Sequence, residues 1–239
     1  MPELEISKVH DAYRDGGECP LCLLRASAER ALVSSLQHSR AMQPDVRVRT
    51  NREGFCAEHL RRLYAGENKL GLALTAHTRL QHVLPWAAGA LEDALRAAGG
   101  RDARRAAERA AGLLGAAAAG CYVCGLLRQD EERYVFTILY LWGKDPEFPG
   151  IYRASRGFCI PHFGAMTAAA ARTLRPERLR GWLADSVVLL RGSLEALEKD
   201  LHAFTQLHQA ANRALGTDAE RTALARTLQK LAGGEFTAG

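Results

Sequence analysis

The sequence predicts an all-α protein made of two duplicated helical halves, each with a Cys3His metal site joining two helix N-termini. Three observations carry that expectation. The 239 residues are 47% hydrophobic and 25% charged with only 8 prolines, the composition of an ordinary globular protein. No segment shows the period-two alternation of a half-buried strand, whereas runs of strong helix formers alternate with breaker-rich loops. All six cysteines fall in four clusters: Cys19-Pro-Leu-Cys22, Gly54-Phe55-Cys56-Ala-Glu-His59, Cys121-Tyr-Val-Cys124 and Gly157-Phe158-Cys159-Ile-Pro-His162.

Each cluster marks a helix start. After Cys22 the chain reads Leu-Leu-Arg-Ala-Ser-Ala-Glu-Arg-Ala-Leu, and Leu126 to Trp142 behaves likewise after Cys124, so each CxxC pair precedes a helix. Loops rich in breakers follow at Met42-Gln-Pro-Asp-Val and at 144–150, after which Gly-Phe-Cys-x-x-His opens a second helix. Longer helices are expected over 70–96, kinked at Pro85, and over 176–215, where Leu190, Leu194, Leu197, Leu201 and Phe204 form a packing seam. An alanine-rich helix over 101–119 bridges the halves.

The four clusters read C-x2-C-x33-C-x2-H and then C-x2-C-x34-C-x2-H, an internal duplication. Arg25 and Glu29 recur as Arg128 and Glu132 at an offset of 103, which also relates Cys56 to Cys159, whereas the CxxC pairs are 102 apart. The second copy is therefore read as having gained one residue after its CxxC pair. This places a first metal-binding repeat over 1–98, a helical linker over 99–111, a second repeat over 112–213 and a partly helical tail over 214–239.

Two sulfurs from a CxxC pair can hold an ion from one side, and a Cys-x-x-His pair can close a tetrahedron from the other. Within each copy the expected donors are Cys19, Cys22, Cys56 and His59, then Cys121, Cys124, Cys159 and His162. Helix N-termini favour thiolate over thiol and so hold the ligands near their metal-binding form. Zinc, two ions per chain, suits three thiolates and an imidazole, with an iron–sulfur cluster as the alternative. Each filled zinc site carries one negative charge, taking the formal +5 to about +3. Arg25, Arg52, Arg61, Arg128 and Arg156 stand nearby as counter-charges. Glu29 and Glu132, about two turns past the CxxC pairs, are candidate acceptors for the second imidazole nitrogens, and Arg25 and Arg128 pair with them by position.

A full four-donor shell leaves no coordination position for a substrate or an activated water, so structural sites and a non-enzymatic interaction or regulatory role are expected. The sequence contains no phosphate-binding glycine loop, nucleophile elbow or paired-carboxylate motif. The rivals are a redox or electron-transfer protein, and a zinc hydrolase with an incompletely filled site and His10 beside it. The mild, dispersed basic excess and the few aromatics give no nucleic-acid surface. Residues 110–127 lack charge, but they are alanine- and glycine-rich and hold two ligand cysteines, so no membrane span is expected. The first residues lack a secretory apolar run, which points to the cytoplasm. The expected partner is an unidentified protein or a second copy.

Taken together, Asp11-Ala-Tyr, Glu18-Cys-Pro-Leu-Cys22, Gly54-Phe-Cys-Ala-Glu-His-Leu60, Leu70-Gly-Leu-Ala-Leu74, Cys121-Tyr-Val-Cys124, Glu132-Arg-Tyr134 and Ser155-Arg-Gly-Phe-Cys-Ile-Pro-His-Phe163 resemble a bacterial family catalogued as domain of unknown function 6062. The likeness runs to about residue 204 and resumes over 223–231. It implies the same eight cysteine and histidine positions, with no established activity to carry over. After Phe204 this chain reads Thr-Gln-Leu-His-Gln-Ala, where the family has an aromatic, acidic stretch.

Overall fold

A computed structural model of the chain describes residues 4–207 and 217–236. Among the described residues there are eleven α-helices, one short 3-10 turn (Arg40–Met42) and no strand. The helices are α1 (Ile6–Arg14), α2 (Pro20–Gln37), α3 (Pro44–Glu53), α4 (Ala57–Ala65), α5 (Lys69–Ala97), α6 (Ala103–Ala119), α7 (Tyr122–Lys144), α8 (Phe148–Ala154), α9 (Ile160–Thr173), α10 (Pro176–Leu207) and α11 (Asp218–Ala232). The extension of α10 to residue 215 expected from the sequence lies outside the described residues beyond 207.

Local chemistry explains where these helices start. Proline opens α2, α3 and α10, its missing N–H costing nothing in a first turn. Asn68 caps α5 by accepting from the Gly71 amide at 2.8 Å, and Thr217 with Glu220 forms a reciprocal capping box on α11. Cys56 and Cys159 occupy the N-cap positions of α4 and α9 in extended backbone. Just before them Gly54 and Gly157 adopt φ of 68° and 74°, a left-handed conformation that explains glycine in both Gly-Phe-Cys runs. Helix α5 continues through Pro85.

Two compact units are present. One comprises Met1–Ser27 with Gln129–Gly239, the other Ala28–Arg128. Their extents differ from the repeats read in the sequence, because the boundaries fall inside α2 and α7. In the first unit, Val9, Leu21, Ile138, Phe148, Tyr152, Phe158, Met166 and Trp182 form the buried core. In the second, Leu36, Val46, Leu63, Tyr122, Val123 and Leu127 do so. Among the described residues no single helix is long and apolar enough to cross a membrane. α6 and α7 pass such a test only as a pair, bent by 62° at the break before Tyr122.

Candidate metal centres

Each unit brings four soft donors to one point. In the first they are Cys19, Cys22, Cys159 and His162; in the second, Cys56, His59, Cys121 and Cys124. These are the eight side chains expected from the sequence, but the expected sets are corrected: each cluster joins a CxxC to the Cys-x-x-His that does not follow it next in the chain. The starts of α2 and α9 supply one set, and the starts of α7 and α4 the other.

The distances define the geometry. In the first cluster His162 Nδ1 lies 3.2, 3.4 and 3.1 Å from the sulfurs of Cys19, Cys22 and Cys159, and Cys22 Sγ lies 3.7 Å from Cys159 Sγ. In the second, His59 Nδ1 lies 3.1, 3.3 and 3.4 Å from the sulfurs of Cys56, Cys121 and Cys124, with Cys56 Sγ 3.9 Å from Cys124 Sγ. A tetrahedral shell with metal–sulfur bonds of about 2.3 Å and metal–nitrogen bonds of about 2.0 Å has edges of about 3.8 Å between sulfurs and about 3.5 Å between sulfur and nitrogen. Both donor sets fit one ion each. The sulfur separations are far from the roughly 2.05 Å of a disulfide, and all six cysteines are free.

A carboxylate orients each imidazole from its other side. Glu29 Oε1 accepts from His59 Nε2 at 2.9 Å while its Oε2 meets the Arg62 guanidinium at 3.0 Å. Glu131 repeats this arrangement, with Oε1 at 3.3 Å from His162 Nε2 and Oε2 at 2.8 Å from Arg25 Nη1. Such a carboxylate fixes the tautomer, so that Nδ1 would be free to ligate an ion. Of the carboxylates expected from the sequence, Glu29 is the one beside His59, whereas Glu131 and not Glu132 lies beside His162. Glu132 is exposed, as is Arg128. Helical geometry gives the reason: Glu29 and Glu131 each lie seven residues after the second cysteine of their pair, close to two whole turns, whereas an eighth residue is rotated about 80° off that face. Glu131 also keeps the 102-residue offset of the CxxC pairs, a signal that would have found it. Of the other proposed counter-charges, Arg52 and Arg61 pair with Glu53 and Glu58.

The surroundings shift the donors' proton affinities in different directions. Hydrogen bonds from Cys19 and Cys22 hold the Cys159 thiol far below its ordinary range, aided by His162. Burial pushes Cys19 well up. Burial opposes the His162 imidazolium, but Cys159, Cys22 and Glu131 outweigh it and raise its pKa to about 11. In the second cluster burial opposes ionisation of Cys56, yet the His59 backbone and ring lower it to about 7, while burial raises Cys124 to about 12. In both clusters a cysteine that N-caps a helix has its thiol lowered.

The first cluster carries a device with no counterpart in the sequence reading. All four of its donor residues are buried, against one of four in the second. The end of α11 lies on it: a Cβ on Gly233, whose φ is 75°, would sit 3.4 Å from Cys159 Sγ and 3.9 Å from Cys22 Sγ. Lys230, 0% exposed, donates to the carbonyls of Glu18 and Arg156 at 3.0 and 2.6 Å and lies 3.4 Å from the Glu18 carboxylate. Glu18 also accepts from Arg226 at 2.6 Å and Arg156 at 2.8 Å. Arg156, expected from the sequence as a counter-charge to the cluster, is instead paired with Glu18. His10 lies elsewhere, packed edge-on to Phe148.

Fold and site together define an all-helical protein with two Cys3His clusters able to bind metal. The model of a family of unknown function, DUF6062, matches residues 2–238, and the chain belongs to that family. Neither a curated protein nor a solved structure matches it.

Proposed function

We propose that the protein is a zinc-binding helical module in which two structural Cys3His sites staple helix starts, and that it acts in the cytoplasm as a non-enzymatic interaction or regulatory protein. The observation that carries this reading is the convergence of three sulfurs and one Nδ1 to within 4.8 Å of one another in each unit. Zinc accepts that shell without preference for another geometry, and iron–sulfur ligands attach to different iron atoms, which would space the sulfurs more widely. Four protein donors fill a tetrahedron, which supports a structural role over hydrolysis. Elemental analysis of the purified protein should give two zinc ions per chain. Complete removal by chelator should abolish much of the helical circular dichroism, since zinc contributes on the order of 10 kcal/mol to folding of such modules. A brown protein rich in iron, or undiminished helicity after both ions are gone, would overturn it.

A further inference from the structure

Helix α5 has two faces of different character. Inward, Leu72 packs on the core of its unit, Thr75 is buried and Arg79 donates to the Ala117 carbonyl of α6. Outward, Leu70, Leu74, His77, Gln81, Leu84, Ala88, Leu91 and Leu95 recur at spacings of four and three, and all eight are exposed. The leucines are 72, 38, 68, 55 and 75% exposed. This is the 3.5-residue period of a coiled-coil seam, about 38 Å long at 1.5 Å per residue. It contains no charged side chain, and Ala73, Ala87 and Ala94 on its flank allow a second helix to approach closely.

We propose that this seam is the dimer interface and that its occupant is α5 of a second copy, running antiparallel. The seam is its own complement under a two-fold axis between His82 and Val83, as a symmetric dimer requires. Leu70 then meets Leu95, Leu74 meets Leu91, Leu84 meets Gln81, and Ala88 leaves room for His77. The antiparallel order also opposes the helix dipoles and sets Glu92 and Asp93 of one copy at the positive N-terminal end of the other. The five leucines together expose roughly 500 Å² per copy, so a pair buries about 1,000 Å² from these residues alone, near the threshold of a specific interface. This inference is independent of which metal the clusters hold.

Sedimentation velocity on the full-length, metal-loaded chain tests it over a concentration series. The wild type should sediment at twice the chain mass at high concentration. Leu74→Glu or Leu91→Lys alone should raise the dissociation constant roughly tenfold or more, and the double variant, which places each new charge opposite its complement, should recover the dimer. Circular dichroism and metal content unchanged from wild type exclude misfolding as the cause. A wild type that stays monomeric at all concentrations, or a double variant no better than the singles, overturns the proposal. Flotation of a monomeric wild type with anionic vesicles would assign the face to lipid instead, which also overturns it.

Discussion

At the residue scale, a single position separates an orienting carboxylate from a solvated one. Glu131 joins His162 to Arg25 while its neighbour Glu132 is exposed. Glu131→Gln should therefore weaken zinc affinity of the first cluster by 10- to 100-fold, as loss of an orienting carboxylate typically does, and Glu132→Gln should leave it unchanged; a chelator competition titration reads both. Protons and metal compete for the same atoms, so the direction of pH dependence follows from the donors. Loading the first cluster at neutral pH must displace protons from Cys19, whose thiol burial raises, and from His162, raised to about 11. Calorimetry in buffers of different ionisation enthalpy should register that release. Affinity of the second cluster should fall as pH drops through about 7, where Cys56 takes up its proton. The donors were legible because their chemistry depends on residue type and short spacing. Glu131 was legible too, through helical period, although the 103-residue offset pointed one residue beyond it. Lys230 was not: nothing in Leu-Gln-Lys-Leu-Ala distinguishes a buried cation from a solvated one.

At the scale of elements, the starts of helices do the positioning, and the end of one helix shields a cluster. Burying Lys230 is costly for a charge unless partners compensate, and Glu18 with two backbone carbonyls does so. Lys230→Met leaves Glu18 with Arg226 and Arg156 but removes the tie between α11 and the first cluster. It should cost about 3 kcal/mol in urea unfolding and expose α11 to limited proteolysis. Chelator-driven zinc release from the first cluster should quicken while the second cluster's rate stays fixed. Glu18 is opposed by burial yet held below its ordinary value of 4.5 by Arg226 and its other cations. Its contribution is therefore complete above about pH 4.5 and is lost as pH falls through the lowered folded-state value. Helix positions were legible from breakers and ligands: α5 and α6 match expectation to within about two residues. The docking of α11 was not, because its interior contacts depend on residues more than 200 positions away, as Lys230 with Glu18 shows.

At the scale of the whole chain, each cluster joins a CxxC to a Cys-x-x-His other than the next one in the sequence, and this could not be read from spacing. Either CxxC can chemically close with either Cys-x-x-His, since the donor sets are identical. Closing Cys22 with Cys159 spans 137 residues, about four times the separation to Cys56, and each doubling adds only about 0.6 kcal/mol of loop entropy. A penalty of about 1.2 kcal/mol is small beside the burial of Phe158, Met166 and Trp182 around the first cluster, so tertiary packing decides the pairing. Paired ligand losses separate the two topologies. In the crossed arrangement Cys19 and Cys159 serve one ion, so Cys19→Ser with Cys159→Ser should leave one zinc per chain after dialysis against a competing chelator. Cys19→Ser with Cys56→Ser should lose both. Closure within each copy requires the reverse, because Cys19 and Cys56 would then share an ion while Cys19 and Cys159 would serve different ones. Metal counting on two double variants thus distinguishes a chain that exchanges its arms from one that folds as successive halves, and retention of one zinc by the Cys19/Cys56 variant would exclude the exchange.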